Sequence, residues 1–186
     1  MKKILPFLFL VAILVGVVIL HQPDKPIVSN VVKHQPQQEV GLPQSLSIPK
    51  ISVNTEFEFV GMDSQGRMDV PRNPSNVAWY RLGPKPGQSG SAVIAGHLDN
   101  VDGSPAAFWD LDKLKPGDKI QVTDSKNKIY TFEVLKTATY PYQDFPLQKV
   151  FADTSGKYLN LITCSGTWDT NKKVYSTRTV VFSKLE

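Results

Sequence analysis

Lys119-Ile120-Gln121-Val122-Thr123-Asp124-Ser125-Lys126-Asn127-Lys128-Ile129-Tyr130-Thr131-Phe132-Glu133-Val134 decides the fold class of this chain. Ile120 and Val122 share one face of an extended segment, and Tyr130, Phe132 and Val134 share one face of another. That alternation has the two-residue period of a half-buried strand, not the 3.6-residue period of a helix. Between them, residues 124–127 are a run of turn-forming polar residues.

The same grammar extends to both sides. Apolar or β-favouring segments occur at 46–51, 55–60, 91–95, 119–123, 129–139, 158–164 and 174–182. Turn signals at Asp63-Ser64-Gln65-Gly66 and Pro116-Gly117-Asp118 punctuate them. Helix is scarce. The best candidate starts with Ser104 as N-cap and Pro105 at the first helical position, followed by Ala106-Ala107-Phe108-Trp109. Residues 41–186 therefore predict one all-β domain, a barrel or sandwich, with one or two short helices.

Residues 1–20 read differently. Lys2 and Lys3 precede a run from Ile4 to Leu20 without a charge. As a helix it spans roughly 26 Å, at the short end for a bilayer. Cleaved signal peptides share this charged-then-apolar grammar. Here, however, Val17-Val18-Ile19-Leu20 passes into His21-Gln22-Pro23 without the alternating small residues that cleavage needs, and no Cys follows. The expectation is an uncleaved transmembrane helix at 1–20, with the lysines inside and the rest of the chain outside the cell. Residues 21–40, rich in Gln, Pro and Val and without period, read as a tether with a reach of about 25 Å.

Charge excludes one class of partner. Lys2 and Lys3 account for two of the 21 basic residues, leaving 19 against 17 acidic ones in the exported part. No Arg-rich stripe or basic-aromatic interleaving points to nucleic acid. No Cys/His cluster suggests a metal, and no cofactor is expected. The chain holds one cysteine, so an exported domain has no internal disulfide and relies on its core.

That cysteine ends the segment Tyr158-Leu159-Asn160-Leu161-Ile162-Thr163-Cys164, just before Ser165-Gly166-Thr167. A strand-end thiol has a wall to hold it and a loop to admit substrate, although burial as a small hydrophobe is equally compatible with residue type. A cysteine nucleophile needs a base or cationic partner, because the thiolate is the reactive form. Of three histidines, His21 and His34 fall in the tether. His97 remains, at the end of Ser91-Ala92-Val93-Ile94-Ala95-Gly96-His97-Leu98-Asp99. Arg178 lies 14 residues after Cys164 in Tyr175-Ser176-Thr177-Arg178-Thr179-Val180-Val181-Phe182. Strands joined by a loop around 168–173 pair antiparallel and bring Arg178 towards Cys164. There its guanidinium would stabilise an oxyanion. An arginine in an apolar strand is costly without a partner or task.

His97, then Leu161-Ile162-Thr163-Cys164, then Arg178 in a terminal strand resemble the sortase family in order and spacing, over about residues 46–185. Val77-Ala78-Trp79-Tyr80, the stretch 86–99 and Leu114-Lys115-Pro116-Gly117-Asp118 look like class F. The family signature Thr-Leu-x-Thr-Cys carries Asn160 here at its first position. The resemblance implies an eight-stranded β-barrel on a Gram-positive surface. It implies a cysteine transpeptidase that cleaves a Leu-Pro-x-Thr-Gly-like sorting motif of exported proteins. The acyl group is held as a thioester and passed to an amine of a peptidoglycan precursor or pilin. By the same resemblance Cys164 is the nucleophile, His97 the acid and base, and Arg178 the group that binds the substrate carbonyl and its oxyanion. Thr163 is a further substrate-binding candidate. At ordinary pKa values roughly 3% of Cys is thiolate and roughly 24% of His is imidazolium at pH 7. The residues alone leave two rivals open: a membrane-anchored cysteine hydrolase and a non-catalytic surface-binding module.

Overall fold

The computed structural model describes residues 39–186; the expected anchor, 1–20, and positions 21–38 of the tether lie outside the described residues. Among the described residues no helix is long and apolar enough to cross a membrane. The strands are β1 (Pro43–Ile48), β2 (Val53–Val60), β3 (Val77–Tyr80), β4 (Gly90–Gly96), β5 (Lys119–Asp124), β6 (Ile129–Pro141), β7 (Lys157–Asp169) and β8 (Val174–Leu185). They close a barrel in the order β1-β2-β3-β4-β7-β8-β6-β5, with β5 pairing back to β1. Closure removes the unpaired edges an open sheet would expose. The β2–β3 and β4–β7 pairs are parallel and the others antiparallel.

Pattern reading missed β3. It is four residues long, and Val77, Ala78 and Trp79 in sequence are all buried, so no alternation is visible. The helix expected from Ser104 does not form. Ala106 N–H donates to Leu98 O, Ala107 N–H to Pro74 O and Phe108 N–H to His97 O. Those donors are committed to other segments, so the i to i−4 ladder a helix requires is absent. A 3-10 turn over Leu111–Lys113 follows instead. The only α-helix among the described residues, α1 (Leu147–Phe151), comes after Pro146 and buries Val150. The loop expected around 168–173 is tighter than read: β7 runs to Asp169 and β8 begins at Val174. A bulge lies between Ser165 and Trp168. Gly166 carries it at φ 82°, where a Cβ would lie 2.4 Å from Ser176 Oγ.

Two apolar layers line the two faces of the β4-β7-β8 wall. Ala92, Ile94, Leu159, Leu161 and Val181 point inward and join Leu46, Ile48, Phe108 and Phe132 in the barrel core. The alternate residues Val93, Ile162, Val180 and Phe182 face outward and pack with Val150 of α1. The period of two thus divides each strand between core and outer surface.

The entry of the domain is clamped by Asp124, 1% exposed. Its carboxylate accepts from the backbone N–H of Gly41 (2.9 Å), Lys126 (2.8 Å) and Lys128 (3.0 Å) and from the Tyr130 hydroxyl (3.3 Å). Burial pushes this carboxyl up, but the N–H groups of Lys128, Gly41 and Lys126 outweigh it and hold it below its ordinary value. A carboxyl depressed in the native state stabilises fully above its unfolded pKa of about 4 and loses that stabilisation as pH falls through the native value. Asp124→Ala leaves these donors unpaired and is expected to cost about 2–3 kcal/mol at pH 7. Urea unfolding at pH 7 and pH 3 checks this, the gap to wild type narrowing at pH 3.

Candidate active site

The outward row that carries Val93, Ile162 and Val180 continues to one end of the barrel, where chemistry replaces packing. On β7, Cys164 follows Ile162 with the same parity and is half-buried. Cys164 pairs directly with Arg178 across the antiparallel β7–β8 ladder. The parallel β4–β7 ladder aligns Ala95 with Ile162, and Thr163 Oγ1 donates to Gly96 O at 2.9 Å. The next residues along the two strands are His97 and Cys164. The wall therefore places Cys164 and Arg178 side by side on β7 and β8, with His97 as the residue that follows the end of the adjacent strand β4.

Local contacts hold His97 where β4 ends. Gly96 packs under Phe108, and a Cβ there would lie 2.4 Å from the ring. His97 O accepts from Phe108 N–H at 2.9 Å. His97 Nε2 is 2.8 Å from Pro71 O. A carbonyl oxygen only accepts, so Nε2 carries the hydrogen in this contact.

Arg178 Nη1 donates to Thr177 O at 2.8 Å and Tyr175 O at 3.1 Å, and the guanidinium lies 4.9 Å over the Tyr142 ring. These contacts leave Nε and Nη2 without a protein partner among the described residues. Cation–π contact and two carbonyls make the charge tolerable in a half-buried site while part of the donor fork stays available. The Cys164 thiol is pushed up by burial; Arg178 pulls it down, and Asp99 pushes it up again. The net direction is upward, so the resting thiolate is scarcer than composition implies.

Thr163 is brought to the site but faces away from it. Its side chain has the inward parity of Leu159 and Leu161, is 4% exposed, and has its hydroxyl committed to Gly96. Asn160, the departure from the family signature, donates from Nδ2 to Val150 O at 2.6 Å and ties β7 to α1.

Sequence reading missed Asp99, Tyr175 and Tyr142. Tyr175 hydrogen-bonds through its hydroxyl to Asp99 Oδ2, and Tyr175 packs against Trp168 with ring centroids 5.1 Å apart. The bond to Asp99, with desolvation and the charges of Asp99 and Cys164, pushes Tyr175 up to about 12. The available signal for Asp99 was its place two residues after His97. Nothing local marked the two tyrosines. Among the described residues no group of three or more His, Cys, Asp or Glu forms a metal-sized cluster.

The chain is similar to solved structures of this architecture. Sortase A from Corynebacterium diphtheriae, as a lid mutant, is 22% identical over 81% of this chain and 74% of that chain, with a TM-score of 0.60. Sortase C1 from Streptococcus agalactiae is 23% identical over 77% and 66%, with a TM-score of 0.60. Listeria monocytogenes sortase A is 24% identical over 80% and 88%, with a TM-score of 0.59. At these identities the likeness is one of fold. No curated relative matches the chain. The Sortase domain family model matches residues 46–186, the whole barrel apart from its first strand residues. A match over that much of the chain, on the barrel just described, means that the chain belongs to the sortase family of cysteine transpeptidases.

Proposed function

We propose that this sortase cleaves a Leu-Pro-x-Thr-Gly-like motif of exported proteins and transfers the acyl part to an amine of a peptidoglycan precursor or pilin. The observation that carries the site assignment is the direct pairing of Cys164 with Arg178, with His97 just past the end of β4, the strand on the other side of β7. Cys164 Sγ attacks the Thr carbonyl carbon. The free donors of Arg178 hold the carbonyl oxygen as it gains charge. His97, protonated, gives its proton to the departing Gly amine, leaving a thioester and a neutral imidazole. An amine then attacks the thioester, and His97 takes its proton. Thr163 acts in this scheme by locking β4 to β7 rather than by touching substrate.

The test is to incubate the protein with fluorogenic sorting-motif peptides and oligoglycine and to identify products by mass. Amide products support the reading. Carboxylic acid alone, at any amine concentration, indicates a hydrolase, and an unreactive thiol indicates a binding module.

The same proposal places residues 1–20 as the membrane anchor, 21–40 as the tether and 41–186 as the catalytic domain, outside the cell. The likeness of 77–80, 86–99 and 114–118 to class F supports that subgroup. The clamp of Gly41 and Leu42 onto Asp124 and Ser125 supports a domain start near residue 40. A chain beginning at Val40 is therefore expected to be soluble and active on peptides, yet to fail to anchor proteins in cells. Full cell-wall anchoring by a secreted, anchor-free form would refute the topology.

A further inference from the structure

Asp99 is half-buried in the segment leaving β4, two residues beyond His97. Its Oδ2 accepts from the Tyr175 hydroxyl, and Tyr175 is braced by Trp168, its partner across the β7–β8 hairpin. Asp99 thus joins the two segments that flank Cys164. Its Oδ1 has no hydrogen-bond or ion-pair partner among the described residues. Nor is that oxygen sealed from solvent, since no buried side-chain oxygen lacks a partner among the described residues. Among the described residues no lysine or arginine forms an ion pair with this carboxylate. It is nevertheless the acidic side chain whose charge reaches the reactive sulfur.

The polar groups that act on Cys164 are Arg178 and Tyr175 from β8 and Asp99 from the segment that follows β4. A lone carboxylate among them works against thiolate formation. That cost is offset if a cation occupies Asp99 during the reaction. The second substrate of a transpeptidase supplies one, because a primary amine is an ammonium ion at neutral pH. We propose that Asp99, oriented by Tyr175, is the docking group for the ammonium of the acceptor amine.

This inference rests on the transpeptidase reading above. The docked ammonium releases one proton to solvent. The neutral nitrogen attacks the thioester carbonyl carbon, a C–N bond forms and the C–S bond breaks. Cys164 departs as thiolate, and neutral His97 takes the second nitrogen proton as the amide forms. While docked, the ammonium offsets the field of Asp99 at Cys164, and that offset ends when its proton leaves and the neutral nitrogen attacks. Binding to a carboxylate makes the ammonium harder to deprotonate, so the gain is read in acceptor KM rather than in kcat.

The test compares two acceptors on the full chain in detergent, with a saturating sorting-motif peptide as donor. Triglycine amide is cationic at pH 7.5, and hydroxylamine is largely neutral there. Asp99→Asn keeps an acceptor oxygen for Tyr175 but removes the charge. It is expected to lower the triglycine-to-hydroxylamine ratio of kcat/KM at least about 10-fold, through acceptor KM. Asp99→Glu restores part of the ratio, and Tyr175→Phe lowers it a few-fold. An unchanged ratio, or equal losses with both acceptors, overturns the proposal. Should Asp99→Asn fail to fold, Asp99→Glu and Tyr175→Phe carry the same ratio test. A wild-type chain that forms acyl-enzyme but transfers only to water removes this proposal and not the thioester reading. One that forms no acyl-enzyme removes both.

Discussion

Cys164→Ala is expected to abolish motif cleavage, by at least about 10³-fold, and to leave no covalent acyl adduct in intact-mass spectra. The chain has no second thiol, and the neighbouring hydroxyls are already engaged. Thr163 is buried with its hydroxyl on Gly96 O. Ser165 Oγ lies 2.9 Å from Thr177 Oγ1 across the hairpin. Neither is free to take over as nucleophile. Alanine is small and apolar, so the strand pairing around position 164 is retained, and loss of activity cannot be assigned to unfolding if thermal melting is unchanged. An acyl adduct on the Ala variant would sink the assignment of the nucleophile.

Arg178→Ala is expected to lower kcat/KM at least about 100-fold, mostly through kcat, because losing one oxyanion donor typically costs 10²–10³ in rate. Arg178→Lys keeps a charge but not the planar fork, and recovers only part. The arginine has a second, separable effect. It is the group that pulls the Cys164 thiol down against burial and Asp99. The alkylation rate of Cys164 by iodoacetamide should therefore rise with pH through a midpoint above that of an ordinary cysteine, and Arg178→Ala should move it higher still. Raising the pH then restores alkylation in the variant but not turnover, since no pH supplies the missing donor. Circular dichroism must show an intact fold, because Arg178 also braces Tyr142 and its own strand. A folded Arg178→Ala enzyme within a few-fold of wild type would return this arginine to a structural role.

Seven of the eight strands and the pairing of Cys164 with Arg178 were legible in the chain. Strand character is a local property: side chains alternate every second residue, and Tyr130, Phe132 and Val134 display it without reference to any neighbour. Cys164 and Arg178 lie on consecutive strands joined by a short connection, so antiparallel pairing follows from chain continuity. The chemical types of the candidate site were legible too, because one thiol, one non-tether imidazole and one strand-borne guanidinium leave little choice.

What the chain alone left open depends on contacts between residues far apart in sequence. The closure of the barrel rests on β5 returning to β1, and the short β3 is a strand because β2 and β4 flank it. The Ser104 signal for a helix lost because tertiary acceptors at Leu98, Pro74 and His97 took the donors a helix would have used. His97 reaches the level of Cys164 only through the parallel β4–β7 pairing, whose bond from Thr163 to Gly96 spans 67 residues. The outward face of the site, the Pro71 carbonyl that sets the His97 tautomer and the Asp99–Tyr175 bond arise the same way. Local sequence therefore determined the strands and the chemical types of the site residues. Tertiary pairing decided which of those groups meet, because backbone and side-chain partners across that distance are chosen by the closed barrel as a whole and not by any one segment.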